Sequence, residues 1–186
     1  EVVEKPNELT ELSEFKKALE RSMLNPIYKA YAVLLYWLGV RRSEPLYLTK
    51  ESIEETEDAL YIDITVNPEV PHSRLKSGKT PDKVELPLSL YGMNIIREVW
   101  RSTPNGARLF RFSDKTGYRI IKRMLPNKSP HWLRHNRITK LREKRDRGKL
   151  TTDDIKSFTG IKTDSTIERY GMKTTQGIHK VAQALE

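Results

Sequence analysis

Leu9, Leu12, Phe15, Leu19 and Met23 recur at three- to four-residue spacing, as they do on a helix with one buried face. Asn25-Pro26 interrupts that rhythm, and Pro26 suits the first turn of a second helix. Ile27 to Leu38 is apolar on most sides and predicts a central, buried helix that Gly39 ends. Leu46-Tyr47-Leu48 leads to Thr49, the N-cap of a short turn carrying Glu51 and Ile53. Ala59 to Val66 has strand composition with partial alternation, and Ser73-Arg74-Leu75-Lys76 and Lys83 to Pro87 predict two further short strands. Ser77 to Asp82 supplies the turn between those two. From Leu88 the pattern is helical: Leu88 to Trp100, Ser113 to Leu125, His131 to about Arg145, a helix capped by Thr151 or Thr152, Ser165 to Tyr170, and Gly177 to Leu185. The expected fold is α+β, mainly α-helical with a small three-stranded antiparallel sheet.

The 186 residues suit a single domain, and 37% hydrophobic content is enough to bury a core. The longest apolar run, Ile27 to Val40, is about fourteen residues and too short to span a bilayer. The first residues are charged, so no secretory signal is expected, and Glu1 in place of Met leads us to expect a piece of a longer chain. With no cysteine, disulfides and thiolate metal sites are excluded, and no histidine–carboxylate set has zinc spacing. A net charge of +9 points to a polyanionic partner, most often nucleic acid. The charge is uneven: residues 97–149 are basic, whereas 1–20 and 51–58 are acidic.

Three stretches carry candidate chemistry. In Pro130-His131-Trp132-Leu133-Arg134-His135, His131 and Arg134 are three apart and share one helix face. A guanidinium donates two parallel hydrogen bonds to a phosphate, and an imidazole moves protons near neutral pH. The same pattern also describes a solvated basic face. In Gly39-Val40-Arg41-Arg42-Ser43-Glu44, an arginine at the end of a buried helix can be oriented by Glu44 and still reach a ligand; a simple surface pair is the alternative. The lysines near Ser77-Gly78 sit at a hairpin, where they could equally guard a sheet edge.

Taken together, these stretches resemble the catalytic domain of the tyrosine recombinases, the phage-integrase family, over nearly the whole chain. Gly39 to Glu44 looks like that family's first-arginine motif, and Lys76-Ser77-Gly78-Lys79 like its hairpin lysine segment. His131 to His135 matches its His-x-x-Arg box, and Ser165-Thr166-Ile167-Glu168-Arg169-Tyr170 the segment bearing its nucleophile. One position departs. The family's usual second histidine or tryptophan, nine residues before the tyrosine, is Ile161. Losing one donor to the reacting phosphate costs about 3 kcal/mol of transition-state stabilisation, roughly a hundredfold in rate.

The resemblance implies a site-specific recombinase or integrase that cuts and rejoins DNA through a 3′-phosphotyrosine, without metal or nucleotide cofactor. Its implied catalytic residues are Arg41, Lys76, His131, Arg134 and Tyr170, with Lys79 as the alternative lysine. Arg41 and Arg134 would clamp the phosphate, Lys76 would protonate the leaving 5′-oxygen, His131 would serve as base or donor, and Tyr170 would attack. Glu44 would orient Arg41, and His135 would buttress the fold or a catalytic neighbour. Arg137, Lys140, Arg142, Lys144, Arg145, Arg147 and Lys149 would meet backbone phosphates. The implied partners are double-stranded DNA, other protomers in a synaptic tetramer, and an N-terminal DNA-binding domain outside residues 1–186; no membrane is involved. The implied setting is the nucleoid of a prokaryotic host. Residues 175–186 fall where that family exchanges a C-terminal helix between protomers; packing on their own domain is the alternative. Two rival functions are type IB topoisomerase-like relaxation and a catalytically weakened DNA-binding module.

Overall fold

The structure, a computed structural model, describes residues 9–63, 83–161 and 163–170. It opens with α1 (Leu12–Arg21) and α2 (Pro26–Leu38). The Asn25 side chain caps α2 by accepting from the Tyr28 N–H, Pro26 occupies the first turn, and Gly39 ends the helix in the left-handed conformation at φ 62°. Every side chain from Ala30 to Tyr36 is buried, so most of α2 has no solvent face, as its continuous apolar run predicts. Phe15 of α1 stacks on Tyr36 with ring centroids 4.3 Å apart. Met23 continues the α1 rhythm in sequence but is 88% exposed, because the helix stops at Arg21.

A three-stranded antiparallel sheet follows, in the order β1 (Ile53–Glu55), β2 (Ala59–Ile62) and β3 (Val84–Pro87). Among the described residues, β2 and β3 match strands of the sequence reading, and β1 does not. Ile53–Glu55 reads in sequence as part of a turn. In the structure the Thr49–Ser52 capping box closes that turn early, and the next residues pair with β2, Ile53 opposite Ile62. Three residues are too few to show alternation. The expected strand at residues 73–76 lies outside the described residues.

Glu55 of β1 accepts hydrogen bonds from Arg97 at 2.6 Å and Arg101 at 2.9 Å, tying the sheet to α3 (Met93–Ser102). That helix begins later than its sequence pattern because Gly92 turns the chain at φ 81°. A β-carbon at Gly92 would lie 2.7 Å from Val33, so the glycine also lets α3 approach α2. The remaining helices among the described residues are α4 (Asp114–Met124), α5 (Pro130–Asp146), α6 (Thr152–Thr159) and α7 (Asp164–Glu168), and the expected segment at residues 177–185 lies outside them. Each is capped by the Ser or Thr before it: Ser113, Ser129, Thr151 and Thr163. The main core surrounds α2, and a smaller one gathers Ile138, Ile155, Ile161 and Ile167 beneath Leu141 and Tyr170. Among the described residues no helix is long and apolar enough to cross a membrane.

Gly39 is constrained twice, by its φ of +62° and by Arg137, whose β-carbon would lie 2.6 Å from an added methyl. Gly39→Ala is expected to cost about 1–3 kcal/mol of stability, from the left-handed backbone and the forced shift of Arg137. Urea denaturation checks this, and an unchanged midpoint would contradict it.

Candidate active site

The site is built where α5 crosses the end of α2. The last carbonyls of a helix lack intrahelical partners and carry partial negative charge. Two α5 arginines satisfy such groups here. Arg137, 8% exposed, donates from Nε and Nη2 to the Tyr36 carbonyl at 3.1 and 3.0 Å, and its guanidinium lies 5.1 and 5.0 Å from the Tyr36 and Trp37 rings. Arg134, 6% exposed, donates from Nη1 to the Gly39 carbonyl at 2.9 Å and from Nε to the Tyr170 hydroxyl at 3.2 Å. Gly39 therefore turns the chain and presents the acceptor that seats Arg134.

Arg41 follows on the loop after α2, with Nη1 3.9 Å from Glu44 Oε1. Burial raises the Glu44 carboxyl above its ordinary pKa, while the charges of Arg134 and then Arg41 pull it back down. Glu44 thus faces both arginines electrostatically, rather than Arg41 alone as the sequence suggests. An open cleft of about 280 Å³ is lined by Arg41, Arg42, Ser43, Tyr118, His131 and Arg134, among others. His131 is exposed, one turn before Arg134.

Tyr170 is half-buried just beyond α7. Thr139 Oγ1 donates to its backbone carbonyl at 2.5 Å, and His135 lies 5.8 Å away, ring to ring, backed by Trp132 at 5.3 Å. Two residues earlier, the Glu168 carboxylate accepts from Arg142 Nη2 and Arg145 Nη1, each at 2.6 Å. The hydrogen bond from Arg145 is the main reason its pKa is held below the ordinary value. α7 is thereby fastened to α5 by charge on one side and by the small isoleucine core on the other.

Of the expected catalytic residues, Arg41, His131 and Arg134 share one cleft and Tyr170 touches Arg134; Lys76 and Lys79 lie outside the described residues. Ile161 is 6% exposed in the small core, so the residue at the departing position is packing there. Of the seven basic residues of 137–149 expected to meet DNA phosphates, Arg137 needs correction, and three others have partners within the protein. Arg137 is buried on α2, Arg142 and Arg145 hold Glu168, and Lys140 pairs with Glu11 at 2.9 Å. Lys144, Arg147 and Lys149 remain exposed. Thr139, Glu168 and the Gly39 carbonyl were not legible as site groups. The three-residue spacing of Arg142 and Arg145 marks a common helix face, but nothing local reveals that its partner lies past another helix.

Burial lowers the His135 pKa from its ordinary value, assisted by the charges of His131 and Arg142. A depressed folded-state pKa gives stability that is present above the unfolded value, about 6.5, and lost as pH falls through the folded one. Denaturation midpoints are therefore expected to fall below about pH 6.5, with a shallower fall in His135→Gln. An identical fall in both proteins would contradict this placement.

No protein-family model matches the chain, and no curated protein matches it. Solved structures do. The XerA recombinase superposes with a TM-score of 0.64 at 16% identity, over 96% of this chain and 63% of its own. The XerH site-specific recombinase, bound to its palindromic difH substrate in a post-cleavage complex, gives 0.69 at 18%, over 96% of this chain and 52% of its own. The Tn1549 transposon integrase, in complex with circular intermediate DNA, gives 0.60 at 16%, over 98% of this chain and 66% of its own. This chain thus spans between about half and two thirds of those proteins, and at such identities the likeness is one of fold. The mostly helical arrangement with its three-stranded antiparallel sheet is the fold of the tyrosine recombinase catalytic domain.

Proposed function

We propose that this chain is the catalytic domain of a site-specific DNA recombinase acting through a 3′-phosphotyrosine. The observation that carries this reading is the hydrogen bond from Arg134 to the Tyr170 hydroxyl, with Arg134 also lining the cleft of Arg41 and His131. A tyrosine hydroxyl held by one arginine, which itself lines a cleft with a second arginine and a histidine, suits attack on a phosphodiester. The Tyr170 oxygen bonds to phosphorus and loses its proton as the bond to the 5′-oxygen breaks. Arg41 and Arg134 hold the non-bridging oxygens as negative charge builds on them. His131 takes or holds a proton at the rim, and the departing 5′-oxygen gains one from Lys76. A second 5′-hydroxyl reverses the step on another strand. The ester energy stays in the tyrosyl phosphate, so the reaction as proposed draws on no nucleotide. The contact between Tyr170 and Arg134 of one chain favours cleavage within the same protomer. Duplex DNA is the substrate, a tetramer of protomers exchanges the strands, and an N-terminal domain completes the grip.

A second reading, a DNA-binding module that has lost cutting, is favoured by one observation: Ile161 offers a buried side chain with no donor where the family's pattern supplies one.

The deciding experiment incubates the full-length protein with nicked suicide duplexes in EDTA and resolves covalent adducts on a denaturing gel. An adduct is expected that disappears in Tyr170→Phe and forms roughly 10²–10³-fold more slowly in Arg134→Ala. DNA binding without an adduct on any duplex would favour the second reading.

A further inference from the structure

Arg42 has no part in the chemistry just described, yet three contacts fix it. Its backbone carbonyl accepts from the hydroxyl of Tyr31, a buried residue of α2, at 2.7 Å. Tyr31 lies against Gly117 of α4, where a β-carbon would sit 2.3 Å from that hydroxyl. The glycine therefore lets α4 come close enough for its side chains to meet the arginine loop. Asp114 then pairs with Arg42 Nη2 at 3.2 Å, and the Tyr118 ring lies 5.7 Å from the guanidinium. Lys122 approaches the same ring at 5.9 Å.

The fixed side chain is not a buried one. Arg42 and Asp114 keep 45% and 49% of their side-chain exposure, and an ion pair standing in water contributes little stability. The pair orients Arg42 and can release it to a stronger anion. Arg42 and Tyr118 line the cleft that also holds Arg41, His131 and Arg134. Consecutive arginines thus turn to different acids, Arg41 toward Glu44 and Arg42 toward Asp114, and still face one cavity. A single phosphate does not require both.

We propose that Arg42, steadied by Tyr118 and Asp114, binds a second phosphate of the DNA strand, the one adjoining the phosphate under attack. A guanidinium takes a phosphate through two parallel hydrogen bonds, and a tyrosine face supports its plane. Displacing the Asp114 carboxylate exchanges a weak, solvated pair for this stronger one. The inference rests on the reading of the cleft as a DNA-phosphate site.

Two measurements on the full-length protein test it. Affinity for an unmodified mixed-sequence duplex is followed across salt concentrations for the natural protein and Arg42→Gln. The slope of log affinity on log salt is expected to shrink by about 0.9 in the variant, the share of one phosphate contact; an unchanged slope overturns the proposal. Adduct formation is then timed on suicide duplexes with a neutral methylphosphonate one position to either side of the cleaved phosphate. At one of the two positions the natural protein is expected to slow about tenfold or more, and Arg42→Gln much less. Equal slowing of both proteins at both positions overturns it. Failure of the underlying reading looks different: the natural protein then forms no adduct on any duplex, and the salt slope alone decides whether Arg42 holds a phosphate.

Discussion

Two guanidinium groups seated on the end of one helix hold this site together. α2 is buried along most of its length, so its terminal carbonyls cannot all turn to water. Arg137 answers Tyr36 and Arg134 answers Gly39, each through charge-assisted hydrogen bonds where helix polarity favours a cation. Neither arginine has a carboxylate within ion-pair distance in the described residues. That matters for chemistry. An arginine neutralised by a close carboxylate has less field to offer a phosphate; Arg137 is held by a neutral carbonyl, and Arg134 by the Gly39 carbonyl with the Glu44 charge shared between it and Arg41. Burial alone lowers the Arg137 pKa, and its contacts with Tyr36 oppose that shift.

The same helix α5 organises what surrounds the arginines. Its outer end grips Glu168 and so sets the position of Tyr170, while Asn136 exchanges two hydrogen bonds with the backbone of Thr10, at 2.9 and 3.2 Å, just ahead of α1. Trp132 adds a bond to the Thr10 hydroxyl and stacks on His135, which lies against Tyr170. A strap near the start of the described chain and the candidate nucleophile near its end are thereby fixed to one rigid element. Local patterning cannot encode these long-range pairings; only the closed fold brings them together.

Much of this was legible residue by residue. The apolar run of α2 with the glycine at its end, and the caps before α4 and α6, follow from spacing and from the conformations that Ser, Thr, Pro and Gly favour. Arg41, His131, Arg134 and Tyr170 stand out because their residue types suit phosphate chemistry and their order matches a known pattern. What escaped reading has physical causes. β1 is too short for alternation to register. Gly92 delays α3 through a turn that a helical hydrophobic rhythm does not reveal. Arg137, Arg142 and Arg145 resemble surface cations in sequence, since charge alone does not say whether a backbone carbonyl, a distant glutamate or solvent will receive it. The Gly39 carbonyl, a backbone atom, leaves no mark in the side-chain pattern beyond the glycine itself.

The site depends on Arg134 joining the end of α2 to the Tyr170 hydroxyl. Nitrogen-15 NMR of the arginine Nε–H groups observes that joint directly. Arg134 should give a resolved Nε–H resonance that exchanges slowly with water, and Tyr170→Phe should move it while leaving that of Arg137 in place. An Arg134 signal averaged with the exposed arginines and indifferent to Tyr170→Phe would mean that the hydroxyl and the guanidinium do not meet in solution, and the proposed nucleophile would lose its partner.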